Sequence, residues 1–277
     1  MPDIAEYYGS GIEEARLRTG PGRLELLRVR ELLTRFLPAA PADIDDVGGG
    51  TGIHAFWLAK KRYRVRLLDI VPLHIELART AIAAGSQPPL AETVIGDARS
   101  LPWADGSADA VLLFGPLYHL TGRNDRLATL RESWRVLRPG GLLLAAAISR
   151  FASALDGIRA GYLADPDFAA IVERDLADGH HMNPTKKPEY FMDTHFHHPD
   201  ELGGEVAKAG FALDGVYGLE GPGWLAPDFD AWWDDPRRRA RLVHLARRLE
   251  TEPALAGISA HLLAVGRKPQ APPHIPG

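Results

Sequence analysis

Residues 43–69 read DIDDVGGGTGIHAFWLAKKRYRVRLLD, and this stretch decides the fold. Apolar residues before the glycines and the VRLL run before Asp69 predict two strands, and residues 53–61 predict a helix with one apolar face between them. A strand–helix–strand unit joins parallel strands through a right-handed crossover, so the turn after the first strand opens at the carboxyl edge of the sheet. The sequence therefore predicts a ligand site at this turn.

The spacing of the glycines distinguishes between classes of ligand. Gly48, Gly50 and Gly52 follow Asp46 in the pattern D-x-G-x-G-x-G, whereas dinucleotide sites use G-x-G-x-x-G/A and need a small residue where Ile53 stands. An acidic side chain would also repel a pyrophosphate. The pattern therefore disfavours an NAD-type ligand, which stays an alternative, and favours a nucleoside without phosphates.

The motif resembles that of the class I S-adenosylmethionine (SAM) dependent methyltransferases, in which an acidic residue precedes G-x-G-x-G and another acid, here Asp69, ends the next strand. The resemblance continues at Asp97, which follows the third predicted strand, and at the LRPGG run of residues 137–141, which precedes a buried fifth strand. It covers residues 43–149. It implies that SAM is the cofactor.

The resemblance also implies a role for each residue of the motif. The glycines let the backbone approach the cofactor, Asp69 accepts hydrogen bonds from both ribose hydroxyls, and Asp97 accepts one from the adenine amino group. The implied cofactor-binding residues are Asp46 (near the methionine end), Gly48, Gly50, Gly52, Asp69, Ile70, Asp97 and Ala98, whose backbone N–H would meet a ring nitrogen.

The resemblance further implies an α/β, Rossmann-like fold, with a seven-stranded, mostly parallel sheet in the order 3-2-1-4-5-7-6 and an antiparallel last strand. Helices cover both faces, and a small, mainly helical cap is added. We expect a core in residues 1–149 and 199–268, a substrate cap in 150–198, a helical insert in 220–257 and a disordered tail in 269–277.

Composition narrows the class of function. The 277 residues contain no cysteine and carry a formal net charge of −4, which excludes disulfides and thiolate metal sites and gives no overall electrostatic attraction for nucleic acid. No apolar run reaches about 18 residues, so we expect a cytoplasmic enzyme without a membrane partner, as monomer or homodimer. The arginines of residues 237–248 keep an RNA or tRNA methyltransferase open as an alternative.

Three histidines are candidate catalytic bases. His119 lies in the GPLYH loop after the fourth predicted strand, where α/β folds bind ligands, and it titrates near neutral pH; it could instead simply line the next turn. His195 and His197 would share a face of an extended segment, and with Asp193 they have metal-like spacing. Methyl transfer does not inherently need a metal, so none is expected.

The acceptor is expected to be a small, partly aromatic or apolar molecule, methylated on oxygen or nitrogen. The loop lacks the (D/N)-P-P-(Y/F) pattern that many nucleic-acid amine methyltransferases carry there, which disfavours a base in nucleic acid. A noncatalytic, SAM-binding regulatory subunit stays open. Candidate substrate-binding residues are Tyr7, Tyr118, Tyr190 and Trp224, with Phe151, Tyr162, Phe168 and Phe191 as further aromatics that could equally pack a core of the cap.

Overall fold

The computed structural model describes residues 16–270, so Tyr7 and the end of the predicted tail lie outside the described residues. The helices are α1 (Gly22–Phe36), α2 (Ile53–Ala59), α3 (Pro72–Ala83), α4 (Pro116–His119), α5 (Arg123–Val136), α6 (Ala152–Ala160), α7 (Pro166–Asp178), α8 (Pro199–Lys208), α9 (Phe229–Asp234) and α10 (Pro236–Leu249). The strands are β1 (Asp43–Val47), β2 (Arg64–Asp69), β3 (Glu92–Ile95), β4 (Ala108–Leu113), β5 (Leu137–Ser149), β6 (His180–His181), β7 (Thr194–His197), β8 (Ala212–Gly218) and β9 (His261–Arg267).

Seven of these strands form the predicted sheet. Their order is β3-β2-β1-β4-β5-β9-β8, and β9 runs antiparallel to both β5 and β8. Numbered as seven strands, this is 3-2-1-4-5-7-6 with the last strand antiparallel, which confirms the predicted topology. The carboxyl ends of the parallel strands therefore share one edge with the first residue of β9.

The sheet is buried on both faces because successive side chains of each strand point to opposite sides. On one face, residues such as Val111 and Leu143 pack against apolar side chains of α5 and α8. On the other face, residues such as Leu112 and Leu144 pack against α1, α2 and α3. Helices on both faces leave the carboxyl edge as the open side of the core.

Strand β5 is longer than predicted and reaches past its neighbour. It begins at Leu137 rather than Leu142, with a register shift in its pairing to β4 around Gly140, whose φ is +81°. Its pairing with β4 ends at Ala145, and beyond this point Ile148 pairs with Phe196 of β7. The projecting end of β5 therefore carries the β6–β7 hairpin above the carboxyl edge.

The segment 150–198 contains the helices α6 and α7 together with this hairpin, which the sequence did not predict. The segment 220–257 contains α9 and α10; α10 buries Leu242, Val243 and Ala246 and exposes most of its arginines, as an amphipathic helix should. Within residues 16–270, no helix has the length and apolar character needed to cross a membrane.

Candidate active site

The glycine loop between β1 and α2 is built on left-handed backbone. Gly48, Gly50 and Gly52 have φ values of +73°, +58° and +92°, a region that L side chains rarely adopt. A Cβ on Gly48 would lie 2.5 Å from the Pro116 ring, whereas one on Gly50 would find no atom nearer than 4.0 Å. Gly50 therefore presents bare backbone to open space, as close approach of a ligand requires.

This open space is a cavity of about 240 Å³, here named the glycine-loop cavity. Asp69 at the end of β2 lies in its wall. One carboxylate oxygen of Asp69 accepts a hydrogen bond from the Gly50 N–H (2.8 Å), and the other accepts from the Val71 N–H (2.9 Å) and lies 3.1 Å from Nδ1 of His74. The carboxylate is thus held in place and keeps lone pairs for a ligand's hydroxyl groups.

Asp46 lies beneath the loop rather than in the cavity wall. It is fully buried, and a Cβ on Gly49 would lie 2.6 Å from its carboxyl carbon. Burial raises the pKa of Asp46 to about 7, and the nearby Asp69 carboxylate adds to this, although the Ala55 backbone N–H opposes it. A cationic group bound above the loop would stabilise the ionised carboxylate, so this acid fits the ammonium and sulfonium end of SAM.

The far end of the cavity suits an adenine ring. The side chains of Ile70 and Leu77 line it although each is about half exposed, at 51% and 45%, so they offer apolar surface to a flat ligand. Asp97 and Ala98 line the same end. The Asp97 carboxylate is engaged by Arg99 at 2.6 Å, and its predicted bond to the adenine amino group would have to share or displace that contact.

His119 and Tyr118 also lie at this cavity, on α4. Burial lowers the pKa of His119 to about 4, although Asp69 opposes the shift, so its ring is neutral and weakly basic at neutral pH. His119 lines the glycine-loop cavity and is absent from the wall of the larger cavity described next, whereas Tyr118 lines both. His119 therefore borders the glycine-loop cavity and not the aromatic cavity, and its role as a base stays a prediction.

The second cavity, of about 460 Å³, lies under the 150–198 segment and is here named the aromatic cavity. Of the predicted substrate-binding residues in the described range, Tyr118, Tyr190 and Trp224 all line it. The indole N–H of Trp224 is used by the Ile258 carbonyl at 2.8 Å, so this ring offers apolar surface. Other aromatic residues in the wall are Phe168, Phe191 and Phe196; Phe151 and Tyr162 are not part of it.

His181 adds a polar group to this aromatic wall. Its Nδ1 lies 2.8 Å from a carboxylate oxygen of Asp175, and its Nε2 donates to the Tyr190 carbonyl at 2.7 Å. A carbonyl only accepts, so the Nε2 proton is fixed. The ring stacks on Phe196 at 4.6 Å, and this arrangement holds the hairpin against α7.

The two cavities share a wall formed by Arg16, Glu25, Tyr118 and His261. Nδ1 of His261 lies 2.7 Å from Oε1 of Glu220 and 3.5 Å from Oε2 of Glu25, and Arg16 donates to both oxygens of Glu25 at 2.6 and 3.1 Å. We name Arg16, Glu25, Glu220 and His261 the junction cluster. Three of its members line both cavities, and Glu220 lines the aromatic cavity.

Each carboxylate of the junction cluster lies beside a cationic or protonatable side chain. Burial opposes the charge on His261, but the Glu25 and Glu220 carboxylates outweigh it and raise the pKa of the ring. Burial likewise opposes the charge on Glu25, but Arg16 and His261 lower its pKa to about 2. Donor atoms of Glu25, Glu220 and His261 lie within 4.8 Å of one another, a spacing that a cation could use. Those atoms are already used by the contact between His261 and Glu220 and by the ion pair between Arg16 and Glu25, so we do not assign a metal there.

His195 and His197, the other predicted bases, line neither cavity. Nε2 of His195 lies 2.9 Å from Glu201, and Nε2 of His197 lies 3.4 Å from Glu205, which Arg126 also binds at 2.8 Å. We name these five residues the cap-base cluster. Because both rings are buried beside carboxylates between β7 and α8 and reach neither cavity, the structure does not support them as bases. They also form no three-residue metal group with Asp193 within residues 16–270.

Sequence reasoning missed His261 and Glu220, although a signal was present. Both residues stand at the carboxyl edge: Glu220 follows β8, and His261 is the first residue of β9. Because β9 is antiparallel, its beginning lies at the edge where the parallel strands end. A histidine opening a predicted antiparallel strand could therefore have been nominated from the sequence SAHLLAVGR.

Comparison with known proteins supports this geometry. Residues 46–145 match the family described as "Methyltransferase domain". A crystal structure of a SAM-dependent methyltransferase from Methanosarcina mazei superposes with a TM-score of 0.59 at 21% identity, covering 87% of this chain and 98% of that one. At this identity the likeness shows a shared fold.

Two curated relatives are similar to part of this chain. The ubiquinone/menaquinone biosynthesis C-methyltransferase UbiE of Dinoroseobacter shibae is 35% identical over 114 residues, or 39% of this chain and 42% of the relative. The methyltransferase GfsG of Streptomyces halstedii is 34% identical over 119 residues, or 43% of this chain and 42% of the relative. The chain thus spans less than half the length of these relatives.

The glycine loop, its buried acid, the held Asp69 carboxylate and the family match of residues 46–145 agree with one another. Residues 46–145 therefore form a methyltransferase domain, and the site that they build fits S-adenosylmethionine (SAM) as its cofactor.

Proposed function

We propose that this protein transfers the methyl group of SAM to a small, partly aromatic molecule bound in the aromatic cavity. The observation that carries the proposal is the wall shared by the two cavities. Tyr118, Arg16, Glu25 and His261 contribute to both. A donor above the glycine loop and an acceptor beneath the 150–198 segment would meet at this wall, as in-line transfer requires.

When bound, SAM supplies a methyl group already activated by the sulfonium charge. The residues of this chain bind, orient and exclude water. The glycine loop and Asp69 hold the donor, while Trp224 and the phenylalanines of the aromatic cavity present apolar surface to the acceptor. Closing the acceptor between the hairpin and the core keeps water from the transfer.

The acceptor atom we propose is an oxygen, or the carbon next to it, on a hydroxyl-bearing ring. The sequence suggested oxygen or nitrogen, but the D. shibae relative is named a C-methyltransferase, which favours carbon. Ionising a ring hydroxyl makes both the oxygen and the adjacent ring carbon nucleophilic. The similarity covers 42% of each of the two curated relatives, so turnover of candidate acceptors has to identify the acceptor.

Cofactor binding is the first test. Calorimetry should detect binding of SAM and of its demethylated product, and Asp69→Ala should weaken it by about 1–3 kcal/mol because a carboxylate that accepts hydrogen bonds is lost. Asp214→Ala is the matched control, since this acid of β8 pairs with Arg267 of β9 and lines neither cavity. If neither ligand binds at millimolar concentration, the proposal fails.

Turnover is the second test. The protein is incubated with methyl-labelled SAM and a panel of phenols, hydroxyquinones and aromatic amines, and the products are located by mass spectrometry and NMR. A new O–CH₃ or ring C–CH₃ group supports the proposal. Cofactor binding without turnover of any panel member by the isolated protein would instead favour a noncatalytic, SAM-binding subunit.

A further inference from the structure

Among the histidines of residues 16–270, His261 occupies a distinctive position. It is the histidine that lines both the glycine-loop cavity and the aromatic cavity, whereas His119 lines the former and His181 the latter. The group that takes a proton from an acceptor must reach the acceptor where the methyl group arrives. The position of His261 between the two cavities therefore makes it the leading candidate for this proton-accepting group.

The contacts of the ring are those of an oriented base. Glu220 makes two contacts with His261: its Oε1 lies 2.7 Å from Nδ1, and its Oε2 accepts from the His261 backbone N–H at 3.1 Å. A carboxylate on Nδ1 fixes the tautomer, leaves Nε2 as the proton acceptor and stabilises the imidazolium that forms. This is the base-and-orienter arrangement found where a hydroxyl has to be ionised.

The orienting residues come from elements far apart in the sequence. Glu220 follows β8, Glu25 lies on α1, and Arg16 precedes α1; these are the charged groups that face His261. Ser259 secures the same turn, because its hydroxyl accepts from the Gly221 N–H at 2.8 Å. The position of Glu220 is therefore set by the end of β8 and by the approach to β9.

We infer that His261 is the catalytic base, with Glu220 as its positioning residue, and that the acceptor carries an ionisable hydroxyl group. This inference rests on the proposed function. The hydroxyl proton passes to Nε2 of His261, and the acceptor's freed electron pair forms the new bond to the methyl carbon. The electron pair of the broken S–CH₃ bond stays on sulfur. When carbon is the acceptor, the ring carbon then loses its proton to solvent and His261 returns its own proton to the ring oxygen, so the hydroxyl is restored and one proton is released overall.

The inference predicts a characteristic dependence of rate on pH. The Glu25 and Glu220 carboxylates raise the pKa of His261, so the neutral, proton-accepting ring accumulates as pH rises through that raised value. The rate should therefore rise with pH above about 6.5, the ordinary histidine value. Removing the Glu220 charge should lower the pKa and move the acid limb of the profile to lower pH.

The experiment compares His261→Gln with His244→Gln, an exposed histidine of α10, using the best phenol of the panel. We expect kcat to fall about 10²–10⁴-fold in His261→Gln, with affinity for demethylated SAM unchanged, and to stay within about twofold in His244→Gln. A ring-nitrated derivative of the same phenol is already ionised at pH 8 and needs no base, so the fall in kcat caused by His261→Gln should be far smaller with this substrate. In Glu220→Gln, the rise of the rate with pH should begin at a lower pH than in the wild-type protein.

Three results would overturn the inference while leaving the methyltransferase proposal intact. They are a loss below about threefold in His261→Gln, an equal loss for the phenol and its nitrated derivative, and an acid limb that Glu220→Gln does not move. Turnover abolished by EDTA and restored by Mg²⁺ would assign the cluster to a cation instead. Absence of cofactor binding in the wild-type protein would sink the proposed function itself.

Discussion

The molecule contains two clusters of histidine, carboxylate and arginine with nearly the same composition, and they do different things. The junction cluster lies in the wall between two cavities, so its ring can meet a ligand. The cap-base cluster lies between β7 and α8, with the side chains of His197 and Glu205 both at 0% exposure. The two clusters contain the same residue types, but only the junction cluster lines a cavity that a ligand could enter.

The pKa shifts of the two histidines follow the same division. The carboxylates beside His261 raise its pKa, whereas burial lowers the pKa of His197 despite the adjacent Glu205, with His195 and Arg126 adding to the decrease. A ring among carboxylates becomes a better proton acceptor. A histidine ring that is buried and lies near positively charged groups stays neutral, and its role is structural.

The largest effect on stability should come from breaking the cap-base cluster. Arg126 is 2% exposed and donates to both oxygens of Glu205, so Arg126→Leu would leave a buried carboxylate without its main partner. We expect a loss of about 3–5 kcal/mol in the free energy of unfolding by urea. Arg131→Leu, on the exposed face of the same helix, is the control. Equal stability of the two variants would mean that the cluster does not secure the hairpin.

A smaller effect should appear in the dependence of stability on pH. The folded protein lowers the pKa of His197, so the unfolded chain takes up a proton below about pH 6.5 that the folded chain does not. The free energy of unfolding should therefore be highest above about pH 6.5 and should decrease as the pH falls below this value. Despite opposing burial, the partners His197 and Arg126 lower the pKa of Glu205 to about 2, which adds a further loss below about pH 4.5.

Urea unfolding from pH 7 to pH 5 measures this slope, and His197→Gln should flatten it because the titrating ring is removed. A variant whose stability depends on pH as steeply as the wild type would show that His197 is not the titrating group.

The smallest effect should be that of His195→Gln on catalysis. His195 is 2% exposed, bonds to Glu201 and lines neither cavity, so kcat per folded molecule should stay within about threefold of wild type. Rates are measured at 20 °C, with the folded fraction checked by circular dichroism. A loss as large as that of His261→Gln would erase the contrast between the clusters and return the base to the hairpin.

Much of the cofactor half could be predicted, because its signals are local. The acid, the glycines and Asp69 lie within 24 residues, and the left-handed backbone at Gly48 and Gly50 is a property of the turn itself. The acceptor half was harder to predict. Its hairpin forms because β5 projects beyond β4 and offers free backbone to β7, and no short-range pattern reveals how far one strand outreaches another.

The sequence by itself determined the strand–turn–helix–strand unit and the glycine turn, because periodicity and backbone conformation are set by neighbouring residues, and the resemblance of its motifs to a known family implied the strand order and the class of cofactor. The tertiary structure alone decided which histidine lies between the two cavities. His119, His195 and His197 occupy suggestive local positions, yet Glu25, Glu220 and His261 meet only because α1, the end of β8 and the start of β9 converge at one edge of the sheet. That convergence follows from how helices and an antiparallel strand pack on the finished sheet, which no local pattern contains.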